Sequence, residues 1–146
     1  MEPTTVAELI AWMRTNCYHF NNYNLDNNSI YEGFGLEYRA GTWVWYYTER
    51  GNQDVLANFN TEQEAVAYAF KMISNDRSAK THIVGFVKDT NLLKELIAIL
   101  EQREISYSQS VIPYTIEAPR DRYMVFVLGC DINKVADLKE RYCIYK

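Results

Sequence analysis

Three cysteines, two histidines and a pair of closely spaced glycines are the residues in this sequence best placed by type to do chemistry. Cys17, Cys130 and Cys143 lie far apart with no C-x-x-C among them, which is not a zinc-ligand spacing. They read as reduced, half-buried thiols. His19 and His82 are equally remote from each other, so neither joins a metal cluster. Cys130 follows Gly129 where a strand gives way to a helix, a place where a helix dipole can lower a thiol pKa. No histidine stands in a partnering context to activate it, and structural burial accounts for it. Gly33-Phe34-Gly35 has neither the G-x-x-x-x-G-K-[ST] nor the G-x-G-x-x-G form. Inside a strand, these glycines mark a bulge or a close backbone approach. Arg120 to Val127 follows an RNA-recognition strand only faintly. Asp121 stands where that motif has glycine, and the strand 82–87 brings a single aromatic, Phe86. These residues predict a protein that is not an enzyme, holds no metal or cofactor and does not bind nucleic acid.

The elements that position them follow from periodicity. Thr5 with Glu8 is a capping-box pattern, and Val6, Leu9, Ile10, Met13 and Cys17 recur at helical spacing, predicting a helix from Val6 to about Asn16. The asparagine-rich stretch 19–29 reads as a loop. Ile30–Tyr38 puts Phe34, Leu36 and Tyr38 on one face. Ala40-Gly41 turns the chain into Thr42–Thr48, and Arg50-Gly51-Asn52 turns it again into Asp54–Phe59, with Val55, Ala57 and Phe59 buried on alternate positions. Thr61 and Glu64 form a second capping box for a helix with the apolar stripe Ala65, Val66, Ala69, Met72 and Ile73.

The polar run Ser74–Ser78 is the best internal boundary. Beyond it the pattern predicts strand His82–Val87, helix Leu92–Gln102, strands Ile105–Tyr114 and Arg122–Leu128, helix Ile132–Lys139 and a short strand Tyr142–Tyr145, the βαββαβ order of a split-βαβ, ferredoxin-like unit. Pro113 suits an edge strand. The fold class expected is therefore α+β: an α-βββ-α antiparallel meander over residues 1–78, then a βαββαβ half over 79–146, as two subdomains or one compact unit. A βαββαβ unit also serves as an amino-acid-sensing (ACT-like) regulatory module. In the turn Lys88-Asp89-Thr90-Asn91, however, Asp89 or Thr90 as a plain N-cap accounts for the residues.

With 146 residues, 48% of them hydrophobic, the chain can bury a core without a metal or disulfide staple. No signal peptide is expected, because no N-terminal segment joins basic residues to an apolar run. No apolar run reaches the ~20 residues that span a bilayer. With the thiols read as reduced, the expected location is the cytoplasm. Residues 1–78 carry five Lys+Arg against ten Asp+Glu, and residues 79–146 carry ten against nine. An acidic first half repels nucleic acid and favours a basic partner.

The richest segment runs from Glu32 to Gly51. In Thr42–Thr48 the residues Trp43, Trp45 and Tyr47 alternate with Val44, Tyr46 and Thr48. One face can cover the core, leaving aromatics beside charge on the other, the usual composition of a protein-binding patch. Glu32-Gly33-Phe34-Gly35, Gly41-x-Trp43, Tyr47-x-Glu49-Arg50-Gly51 and Phe59-x-Thr61-Glu62-x-Glu64-Ala65 together resemble immunity proteins of bacterial polymorphic-toxin and contact-dependent growth inhibition systems, over residues 30–73. The resemblance implies a cytosolic protein that binds the C-terminal domain of a cognate toxin, commonly a basic nuclease, and blocks its active site. From composition, the candidate contact residues are Glu32, Glu37, Glu49 and Asp54 for charge, with Trp45, Tyr46 and Tyr47 as anchors. The alternative is a ligand-sensing regulatory module.

Overall fold

The computed structural model describes residues 2–113 and 121–143. Over these residues the protein is a mixed helix-and-sheet chain with one four-stranded and one three-stranded sheet, and it divides into two compact units, residues 1–80 and 81–146.

In the first unit, helix α1 (Val6–Thr15) is opened by Thr5, whose side chain accepts from the Glu8 N–H. The reciprocal half of the capping box is displaced by one residue, because the Glu8 carboxylate takes the Thr4 N–H at 2.8 Å and its hydroxyl at 2.9 Å. Helix α2 (Glu62–Ser74) begins at Thr61 in the same way, and Glu62 reaches across to accept from the Val6 N–H at 2.9 Å. Each helix therefore has orphan donors of its first turn satisfied by side chains.

The sheet runs β1 (Tyr23–Asn24), β2 (Glu32–Arg39), β3 (Thr42–Glu49), β4 (Asn52–Phe59) in that spatial order. The meander β2–β3–β4 is antiparallel. The stretch expected to be loop contributes β1, which pairs parallel to β2. Gly33 makes this pairing possible. Its φ is +144°, and a Cβ there would lie 2.1 Å from the Asn22 carbonyl oxygen, which accepts from the Phe34 N–H at 2.9 Å. The asparagines of this segment serve as backbone partners. Asn28 donates to the Tyr23 carbonyl at 2.7 Å and accepts from the Leu25 N–H at 3.1 Å.

One sheet face carries the core, where Leu36 and Trp45 meet Leu9 and Met13 of α1 and Ala65, Val66, Ala69 and Ile73 of α2. Two expected core positions are not there. Met72 lies exposed on α2, and Val55 is 50% exposed. A bulge explains the second. The β3–β4 register jumps from Trp45↔Ala57 to Tyr46↔Val55, so Leu56 is an extra residue that turns Val55 to the opposite face from Ala57. Cys17, just past α1 with φ of +59°, is disulfide-bonded, which corrects its reading as a reduced thiol in this half-buried place at a helix end.

In the second unit, β5 (Thr81–Val87), β6 (Ser108–Ile112) and β7 (Arg122–Leu128) form an antiparallel sheet in the order β5-β7-β6. Helix α3 (Thr90–Gln102) buries Leu96 and Leu100 against Val84, Val87, Val125 and Val127. The single helix expected over 132–139 is instead broken into α4 (Ile132–Val135), a 3-10 turn and α5 (Lys139–Tyr142). Val135 leaves helical dihedrals at φ −131°, ψ 9°. Arg103 supplies the reason: it donates to the Lys134 carbonyl at 3.0 Å and grips Asp137 with two bonds of 2.9 Å, competing with the helical ladder at that point. Of the short strand expected over 142–145, Tyr142 ends α5 instead. Cys143 makes one parallel bridge to Phe86, and 144–146 lie outside the described residues, as does Tyr114 at the end of the expected third strand. Cys130 is disulfide-bonded, against expectation, at an exposed place in the 3-10 turn Gly129–Asp131; Cys143 is a free thiol.

Among the described residues no helix is long and apolar enough to cross a membrane.

Candidate functional site

The seven residues singled out by composition fall into three groups. Trp45 is 0% exposed, stacked on Phe34 with ring centroids 5.5 Å apart and edged by Tyr68 at 5.9 Å. It belongs to the core, and among the described residues its buried indole N–H meets no hydrogen-bond partner. Tyr46 is 2% exposed on the opposite face, lying across Gly35, where a Cβ would come within 2.2 Å of its ring. Its hydroxyl accepts from Asn24 Nδ2 at 3.0 Å. Neither residue offers surface to a partner, so both are withdrawn as anchors. Burial, and then the nearby Glu37, raise the Tyr46 phenol above its ordinary value, while the Asn24 bond works the other way.

Glu32, Tyr47, Glu49 and Asp54 are brought together. Cross-strand partners share a face, and the register runs Glu32↔Glu49 across β2–β3 and Tyr47↔Asp54 across β3–β4. All three carboxylates are exposed. Among the described residues no ion pair reaches any of them, and Tyr47 Oη meets Glu49 at 3.4 Å. Loss of solvent, then the carboxylates of Glu49 and Glu32, hold the Tyr47 phenol above its usual range. Glu37 stands apart on the second face. It is engaged by Arg39, whose Nε donates at 2.7 Å and whose guanidinium lies 5.5 Å over the Tyr46 ring and bonds Gln53 at 2.9 Å.

Sequence reasoning missed a notch beside β2. Past Asn24 no strand among the described residues continues alongside β2, and a cleft of about 270 Å³ opens there. Asn24–Asn27 form one wall, and Leu36, Tyr38, Trp43 and Tyr46 supply most of the rest. Tyr38 and Trp43 were legible as a cross-strand pair, since they flank the Ala40-Gly41 turn symmetrically. The return of Asp26 to face them was not, because nothing in an asparagine-rich run specifies a parallel pairing.

His19 is occupied structurally: Nε2 contacts the Ser78 carbonyl oxygen at 2.8 Å. Among the described residues no three metal-ligating side chains gather. In the second unit an open cleft of about 500 Å³ is lined by Lys88, Asp89, Thr90, Asp121 and Tyr123. Asp89 caps α3 there, accepting from the Asn91 N–H at 2.7 Å.

Compared with protein-family profiles, with curated proteins and with solved structures, the chain matches none.

Proposed function

We propose that this chain is an immunity protein that binds a basic toxin domain, a nuclease by class, and blocks its active site, acting as an inhibitor and not as an enzyme. One observation carries the reading: Glu32 stands directly opposite Glu49 on adjacent strands, beside Asp54, with no cation of the described residues compensating them. Like charges in opposed positions cost stability, so a partner that supplies positive charge recovers what the isolated sheet forgoes. Complementary charge of this kind raises association rate and selects the partner. Tyr47, half-buried beside the carboxylates, is the aromatic that remains available as an anchor. The resemblance over residues 30–73 points the same way.

The test is co-purification with the toxin domain encoded immediately upstream, followed by calorimetry. The expected result is a tight complex whose association slows in the Glu32→Lys/Glu49→Lys double variant and whose charge dependence fades at high salt. No complex at micromolar concentration would end the proposal. Its location belongs to the same reading. A cytoplasmic inhibitor fits interception of an imported toxin, whereas the disulfide-bonded state of Cys17 and Cys130 suits an oxidising compartment.

A second reading is favoured by the cleft over the β5–α3 turn. The order β5-β7-β6 fits a split-βαβ unit, and a small ligand sensed there would raise thermal stability by ~2.7 kcal/mol at 100 times its Kd. A flat thermal-shift screen with amino acids and nucleotides removes this reading.

A further inference from the structure

We infer that the notch beside β2 is a seat for an organic cation, and that its occupant is a lysine or arginine side chain of the protein partner. The identity of the occupant rests on the reading above, but the cation seat itself does not.

The two walls of this cleft are alike in composition. On the far side, the Tyr46 ring and the Glu37 carboxylate are served by the protein's own cation, with the Arg39 guanidinium over the ring and bonded to the carboxylate. The near side has the same composition. Tyr38 and Trp43 meet at 5.4 Å between centroids and 58° between planes, forming an aromatic corner, and Asp26 lines the same cleft. Among the described residues no cation lies over Tyr38 or Trp43, and no ion pair engages Asp26. Tyr38 is 61% exposed, so its ring is open to an incoming group.

The quadrupole of an aromatic face attracts a cation, most strongly where water is partly excluded, and a nearby carboxylate adds direct attraction. A neutral apolar chain of the same length would gain only the contact with the rings. Asp26 and the acidic balance of residues 1–78 supply the charge complementarity that favours a basic side chain over an apolar one.

The experiment titrates the full chain with N-acetyl-arginine amide, N-acetyl-lysine amide and the uncharged N-acetyl-norleucine amide, following the Trp43 indole N–H by NMR. The two cations should move this resonance in the millimolar range, with the norleucine compound several-fold weaker. Tyr38→Ala and Asp26→Asn, both at exposed positions, should each weaken the cations by about threefold. Equal response to the norleucine compound, no response at all, or cation binding untouched by both variants overturns the seat. Failure of the toxin reading looks different: the amides bind as described while no toxin domain forms a complex. The converse, neutralisation of a toxin with affinity unchanged by Tyr38→Ala and Asp26→Asn, keeps the immunity reading and removes this occupant.

Discussion

The two units handle charge in opposite ways. In the second, acids are put to structural use. Arg103 holds Asp137 by two bonds of 2.9 Å, Arg141 meets Glu95 at 3.0 Å, and Lys134 reaches Asp131 at 3.6 Å. The first two tie short helical turns to α3, Arg103 from its C-cap and Glu95 from its middle, while Lys134–Asp131 lies within the turns themselves. The first unit has two unbroken helices and an eight-residue strand ladder filled with aromatics, with Glu37–Arg39 as its ion pair among the described residues. Its core stands without help from Glu32, Glu49 or Asp54. In the first unit the carboxylates at the sheet's end are left over for something outside the chain; in the second, Asp137 and Glu95 are drawn into the fold.

The strongest test of that contrast is the core itself. Trp45→Ala should cost about 3–5 kcal/mol, measured as a loss in chemical denaturation. Trp45→Phe should cost much less than this, because it also removes a buried N–H that meets no partner among the described residues. A small effect of Trp45→Ala would break the picture of a packing-held first unit.

Glu8 and Glu62 serve helix starts in the first unit, and Asp76 is the acid there that tests the comparison most directly. It accepts from Tyr23 Oη at 2.5 Å and from Ser78 Oγ at 2.7 Å. Burial works to raise its pKa, but these bonds outweigh burial and hold it below the ordinary 3.8. A depressed carboxylate contributes stability above the unfolded value, and that contribution disappears as pH falls through the folded one. Asp76→Asn should therefore cost about 1–2 kcal/mol at neutral pH. The difference from the parent should close below pH 3.8, as followed by thermal melts across pH.

The smallest effect separates the units by sign. Glu49→Lys should stabilise the protein by about 0.5 kcal/mol by turning the opposition to Glu32 into attraction, while weakening any basic partner. Asp137→Lys in the second unit should destabilise it, since Arg103 loses its partner. Melting shifts of the same sign in both variants would erase the distinction.

Much of the fold was legible where the signal is local. Thr5 and Thr61 announce their helices by residue type. Ala40-Gly41 fixes the β2–β3 register, and Arg122–Leu128 forms a strand with the expected limits. The rest depends on contacts between residues remote in sequence. The Asn22 carbonyl recruits a parallel strand from what reads as loop, and Arg103 breaks a helix from thirty-one positions away. At the candidate site, composition marked the acidic character, and alternation grouped Tyr47 with Trp45. Yet alternation could not say that the rings at 45 and 46 would both be buried, one under the helices and the other against Gly35, nor that the bulge at Leu56 would turn Val55 outward.

The closeness of Gly35 to Tyr46 has a consequence for how this protein can change. With only 2.2 Å between the ring and the place where a Cβ would stand, any side chain added at position 35 meets a ring that is already confined. Shrinking the residue at 46 first opens that space, and position 35 then becomes free to vary. The two sites are thus coupled in order as well as in kind. A library that randomises position 35 alone should return glycine, whereas one seeded with a small residue at 46 should return a broader set.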